Sequence, residues 1–136
     1  MLSAETGAAP MVLNVDDNDS ARTSLSIILR HHGLNVIEAG TGRDALRLAR
    51  DRPDLVVLDV ILPDLDGYEV CRRLKADPAT AHTPVVMISG KAVGPTDRAH
   101  ALEDGAVVHL TKPVDPARLK AAIQEEPAAP EQTPPR

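Results

Sequence analysis

Four places in this sequence carry side chains that could do chemistry together: Asp16-Asp17, Asp59, Ser89, and Lys112 within Thr111-Lys112-Pro113. Each follows a short aliphatic run. Singly, each has a bland explanation, since an aspartate after a strand often caps a helix, serine is a common turn residue and Lys-Pro makes an ordinary loop. Brought to one place they mean more. Two unit charges about 4 Å apart repel by roughly 4 kcal/mol at an effective dielectric of 20. Three carboxylates with one ammonium therefore stay net repulsive unless a proton or cation intervenes. Oxygen donors select a hard cation, and few protein ligands with an open remainder suit Mg2+. A Mg2+ site completed by an incoming anion, with a carboxylate, a hydroxyl and a lysine around it, is suited to phosphoryl transfer.

Whether these residues meet depends on the elements that carry them. Aliphatic runs occupy residues 11–15, 34–39, 55–58, 85–88 and 107–110, with Pro53 and Pro84 just before two of them. They do not alternate with polar residues, as expected of strands covered on both faces. Segments of helical period lie between. Ala21, Leu25, Ile28 and Leu29 mark the first, with Gly33 as its stop. Thr41 caps a second bearing Ala45, Leu48 and Ala49, and Asp66 a third bearing Val70, Cys71 and Leu74. Thr96 opens a weaker fourth, with Ala99 and Leu102, closed by Gly105. Asp115-Pro116 starts the last, with Leu119, Ala122 and Ile123 on one face. The reading is an α/β protein, a doubly wound (βα)5 open parallel sheet with helices on each side. In such a sheet ligands bind beyond the carboxyl ends of the strands, which is where all four places lie.

Composition excludes several other classes. The chain has 136 residues and a formal charge of −5, from 15 Lys and Arg against 20 Asp and Glu. That length fits one domain. There is no Phe or Trp and one Tyr, Tyr68, so Val, Leu, Ile and Ala must fill the core. No apolar run is long enough to span a bilayer, and the first ten residues lack the pattern of a signal peptide. One cysteine, Cys71, forms neither an internal disulfide nor a cysteine-based zinc site. A mildly acidic chain without a basic run is a poor nucleic-acid binder. A cytoplasmic protein without direct nucleic-acid or membrane contact is expected, with residues 1–10 a flexible leader, 11–126 the folded domain and 127–136 a disordered proline-rich tail.

In its motifs the sequence resembles the receiver domains of two-component response regulators, over nearly all of residues 11–125. They stand as Asp16-Asp17, then Asp59-Val-Ile-Leu-Pro63-Asp-Leu-Asp-Gly67, then Ser89-Gly90 and Lys112-Pro113. The resemblance implies the CheY-like, flavodoxin-like sheet with strand order 2-1-3-4-5. It implies that Asp59 is the phosphoacceptor, and that Asp17, Asp59 and the backbone carbonyl of Ile61 ligate Mg2+, with Mn2+ as a substitute. Asp16 would hold the ion largely through water. Ser89 and Lys112 would each take a phosphoryl oxygen, and a cis peptide would precede Pro113. The donor would be the phosphohistidine of a histidine kinase or histidine phosphotransfer protein, and an unknown downstream protein would read the result. Such a domain catalyses its own phosphorylation and dephosphorylation without being a turnover enzyme. Where the family usually has Phe or Tyr, three residues before the lysine, this chain has His109. It is either the residue that turns inward on activation, together with Ser89, or a partly exposed strand-end residue. Ile61 and Lys91, two residues beyond Asp59 and Ser89, would flank the phosphate; Ile61 either shields it from water or merely covers the crevice.

Two rival functions belong to other classes. A haloacid dehalogenase-like phosphatase also forms an aspartyl phosphate, but needs a second Asp where Ile61 stands. A degenerate receiver would serve only as a docking module, against which the full set of site residues weighs. Smaller signals read as structural. Gly40-Thr41-Gly42 lacks the rest of a phosphate loop and starts a helix. The segment at Asp64-Leu65-Asp66-Gly67 has Leu62 and Arg73 at two ligand positions of an EF-hand and is not one. His31-His32 ends the first helix in solvent. Cys71 is a small core residue. Asn14, inside a strand buried on both sides, needs a hydrogen-bond partner that the sequence does not name.

Overall fold

The computed structural model describes residues 9–90, 99, 102–106 and 108–124. Five strands form one parallel sheet: β1 (Met11–Val15), β2 (Asn35–Ala39), β3 (Leu55–Asp59), β4 (Val85–Ser89) and β5 (Val108–Thr111). Their order is β2-β1-β3-β4-β5, the doubly wound arrangement expected. Register places Asn14 of β1 beside Glu38 of β2 and Val57 of β3, and Ser89 beside Thr111. Four helices are described: α1 (Asp19–His31), α2 (Gly42–Leu48), α3 (Gly67–Ala76) and α4 (Pro116–Gln124), with a short 3-10 turn at Ala49–Asp51. The helix expected from Thr96 falls largely outside the described residues, as do Lys91 and both terminal segments.

Alternate strand residues feed two cores, one on each face of the sheet. Leu13, Val15, Val56, Leu58, Val85 and Met87 pack under α2 and α3 with Ala45, Val70, Cys71 and Leu74. Val12, Leu55, Val57, Val86 and Ile88 pack on the other face with Leu29 of α1 and Leu119 and Ala122 of α4. The central strands β1, β3 and β4 are nearly all buried, whereas the edge strands β2 and β5 are partly open, because each has only one neighbour. Among the described residues the two cores are built of aliphatic side chains with Met87 and Cys71, and Tyr68 packs at the margin of one, as a chain without Phe or Trp requires.

The expected caps form. Thr41 accepts from the Asp44 N–H at 3.0 Å, Asp66 from the Tyr68 N–H at 2.6 Å and Asp115 from the Ala117 N–H at 2.9 Å. Gly33 ends α1 with φ +86°, a left-handed turn that costs glycine little. One part of the α1 reading is corrected. Ile28 is 41% exposed, and Ser26 is buried in the inward position instead. The reason is Asn14: its buried amide needs a polar neighbour across the helix interface, and Ser26 supplies it. Strand two begins one residue later than its aliphatic run suggests, at Asn35.

Candidate functional site

The acidic residues, serine and lysine expected from the sequence sit at the carboxyl edge of the sheet, whereas His109 lies within β5 beside Met87 of β4. β1 delivers Asp16 and Asp17, β3 ends on Asp59, β4 on Ser89, and β5 leads into Lys112. The fold positions them through backbone bonds between neighbouring strand ends. Asp16 N–H donates to the Ala39 carbonyl at 3.1 Å, Val60 N–H to the Ile88 carbonyl at 3.1 Å, and Lys112 N–H to the Ser89 carbonyl at 2.8 Å. The Lys112–Pro113 peptide is cis.

Carboxylate oxygens of Asp16, Asp17 and Asp59 lie within 4.8 Å of one another. Asp16 and Asp59 are buried and Asp17 is exposed, so the cluster opens to solvent on one side. Lys112 bridges the buried pair: its Nζ is 2.8 Å from Asp16 Oδ2 and 3.1 Å from Asp59 Oδ1. Burial holds the Asp59 carboxyl above its usual range despite Lys112, and the nearby charge of Asp16 adds to the rise. Burial works against the Lys112 ammonium, but the two carboxylates outweigh it and hold it above the ordinary lysine value. One ammonium against three carboxylates leaves negative charge that a hard cation would neutralise, so the donor set fits Mg2+.

The loop between β3 and α3 is tightly constrained. Gly67 N–H donates to the Val60 carbonyl at 2.8 Å, and a Cβ at Gly67 would lie 2.3 Å from the Asp59 carbonyl oxygen. Only glycine permits that approach. At its middle the loop docks on α2, where Asp64 accepts from the Gly42 N–H at 2.7 Å and the Arg43 N–H at 3.0 Å. Those bonds hold the Asp64 carboxyl below the usual range against a desolvation that works the other way. Ile61, on the same loop, is 68% exposed. Among the described residues, none therefore packs over it as a closed cover.

His109 is 3% exposed, which rules out a partly exposed strand-end residue. Its ring meets Tyr68 edge to face, with centroids 6.2 Å apart and planes at 78°. His31 and His32 are exposed and stack edge to face at 5.8 Å, as the solvated end of α1. Cys71 is fully buried with its Sγ 3.2 Å from the Asp104 carbonyl, and burial pushes the thiol up to about 11. Sequence reasoning missed Arg22, Asp64 and Tyr68. Arg22, whose side chain is 18% exposed, reaches the Asp16 carbonyl at 2.7 Å, a bond its helical spacing does not announce.

Residues 12–124 match the model of the response regulator receiver domain. The chain is 40% identical over 116 residues to the transcriptional regulatory protein AfsQ1 of Streptomyces coelicolor, covering 85% of this chain and 50% of that protein. It thus spans half the length of that relative. It is 36% identical to protein PilH of Pseudomonas aeruginosa, covering 82% of this chain and 93% of PilH. Among solved structures, it resembles the receiver domain of a Pseudomonas aeruginosa sensor histidine kinase with a magnesium ion coordinated in the active-site cleft. That likeness has a TM-score of 0.75 at 31% identity and covers 86% of this chain and 96% of the other. Motif, sheet order and carboxyl-edge cluster agree with these likenesses, and the chain belongs to the receiver domains of two-component response regulators.

Proposed function

We propose that Asp59 is the phosphoacceptor of this receiver domain, and that its acidic cluster works with Mg2+. The observation that carries the reading is Lys112 lying between Asp16 and Asp59 at 2.8 and 3.1 Å, beside a third carboxylate. Asp16, Asp17, Asp59 and the Ile61 carbonyl would hold the ion, which when bound supplies neutralising charge for the phosphoryl oxygens.

The side chains divide the remaining work. An Asp59 carboxylate oxygen forms the new O–P bond as the P–N bond of a phosphohistidine breaks, and the departing imidazole keeps that electron pair. Asp59 thereby gives up the negative charge that Lys112 faces, and the ammonium is released to a phosphoryl oxygen. The Ser89 hydroxyl donates to another. These donors sit on strand ends and need little rearrangement to meet the charge on the moving group. Receiver domains act between histidine kinases and downstream effectors, and the partners proposed here are a histidine kinase or histidine phosphotransfer protein upstream and a protein that reads His109 and Ser89 downstream. No described helix is long and apolar enough to cross a membrane, and a cytoplasmic site of action is part of the proposal.

Incubation with acetyl phosphate and Mg2+ tests the reading. One phosphoryl group, labile to base and hydroxylamine, should appear by mass on the parent and not on Asp59→Asn. Equal labelling of the variant would overturn the assignment. Sustained release of phosphate from aryl phosphates would point to a phosphatase instead, and a parent that takes no label to a docking module.

A further inference from the structure

Asn14 is the one amide in an otherwise aliphatic strand, and its surroundings lead back to the site. Its Nδ2 donates to Ser26 Oγ and to the Arg22 carbonyl, both at 3.0 Å. Ser26 donates in turn to Glu38 Oε2 at 2.5 Å. The other Glu38 oxygen accepts from Arg22 Nε at 3.3 Å. Arg22 then divides its two terminal nitrogens: Nη1 donates to the Asp16 backbone carbonyl at 2.7 Å, and Nη2 to Asp19 at 2.7 Å. The chain of contacts runs from inside β1, across α1 and β2, and returns to the peptide that joins Asp16 to Asp17.

We propose that Arg22 is a positioning residue for the acidic pair, and that Asn14, Ser26 and Glu38 hold Arg22 in place. By fixing the Asp16 carbonyl it fixes the peptide plane from which Asp17 departs. Asp17 is the exposed member of the cluster, so its direction depends on that backbone. The proposal rests on the reading of Asp16, Asp17 and Asp59 as a Mg2+ site.

Charge and position make opposite demands on Arg22, and that separates them. As a cation bound to the Asp16 backbone carbonyl, the guanidinium would repel an incoming Mg2+, so losing it should tighten metal binding. As a positioning group it pre-orients ligands, so losing it should weaken binding, and partners of metal ligands typically contribute about 10–100-fold in affinity. Lysine keeps the charge and most of the stem, but a single ammonium cannot serve Glu38 and the Asp16 carbonyl in Arg22's forked geometry.

The experiment is a calorimetric Mg2+ titration of the parent, Arg22→Ala and Arg22→Lys, with thermal melts in EDTA. Both variants should bind Mg2+ about tenfold more weakly. In the acetyl phosphate reaction the Mg2+ half-saturation point should shift with the dissociation constant, by more than the plateau rate changes. If Arg22→Ala does not fold, Arg22→Lys decides. Unchanged or tighter Mg2+ binding in a folded variant overturns the proposal, even if its melting temperature falls, because that result describes a packing role alone. A parent that binds no Mg2+ removes the metal-site reading and this proposal with it, whereas equal binding by parent and variants removes this proposal only.

Discussion

Lys112 and His109 stand three residues apart on the same edge of the sheet and do different work. Lys112 is committed to charge: it faces two carboxylates, so its partner set would change on the proposed conversion of Asp59 to an acyl phosphate. His109 is committed to space. It is buried beside Tyr68, on the α3 side of β5, where a smaller or displaced side chain would alter what the surface presents. If Ser89 moves toward the phosphoryl group, the volume behind it becomes available to the imidazole, and a partner can favour one arrangement. His109→Ala should therefore leave the labelling rate within about twofold of the parent while collapsing the ratio of partner affinities with and without phosphate. Such ratios commonly correspond to about 1–3 kcal/mol of coupling. An unchanged ratio, measured by titrating a kinase-pathway partner with both forms, would remove His109 from the mechanism.

At the scale of elements, the loop from Asp59 to Gly67 is built to one shape. Its closing bond runs from Gly67 to Val60, and its outer bend is docked on α2 through Asp64. Gly67→Ala would force a Cβ against the Asp59 carbonyl, since 2.3 Å is far inside contact distance and the neighbour is backbone. A loss of about 3 kcal/mol or more is expected, read as a lower denaturant midpoint. Gly33→Ala is the control: φ is +86° but nothing lies within 4 Å of its Cβ, so only the left-handed backbone costs, at about 1 kcal/mol. Equal losses for the two would mean that the loop adapts. Strands and caps were legible in the sequence because aliphatic runs, Thr41, Asp66 and Asp115-Pro116 report local physics. The inward face of α1 is misjudged at Ile28, and neither the reach of Arg22 to the Asp16 carbonyl nor the docking of Asp64 on α2 is legible, because both bonds join different elements and follow no helical or strand period. Asp64 meets Gly42 across 22 residues, and no periodicity encodes that. The carboxyl-edge site was legible since one topological rule gathers the ends of all the strands.

Taken whole, the molecule trades some stability for its site. Three carboxylates share a space with one ammonium, and the fold tolerates this because two aliphatic cores flank the sheet. Asp17→Asn relieves repulsion at the exposed member, where solvent screening limits the gain to about 0.5 kcal/mol. The melting temperature in EDTA should rise by about 2–4 °C. In the parent, Mg2+ at a hundredfold excess over its dissociation constant should add about 2.7 kcal/mol by mass action, and the variant should lose most of that increment. A variant that melts lower in EDTA would show that the carboxylates are not mutually strained.

The lone aromatic ring has a spectroscopic consequence. With no tryptophan or phenylalanine in the chain, ultraviolet emission from this protein is the emission of Tyr68 alone, and Tyr68 rests against His109. Phenol emission responds to the group packed against the ring, and an imidazole that swings away changes that environment. The natural sequence thus carries its own single-site optical reporter at the place where the signal would be transmitted, and stopped-flow emission after mixing with acetyl phosphate would time His109 directly, with no label attached.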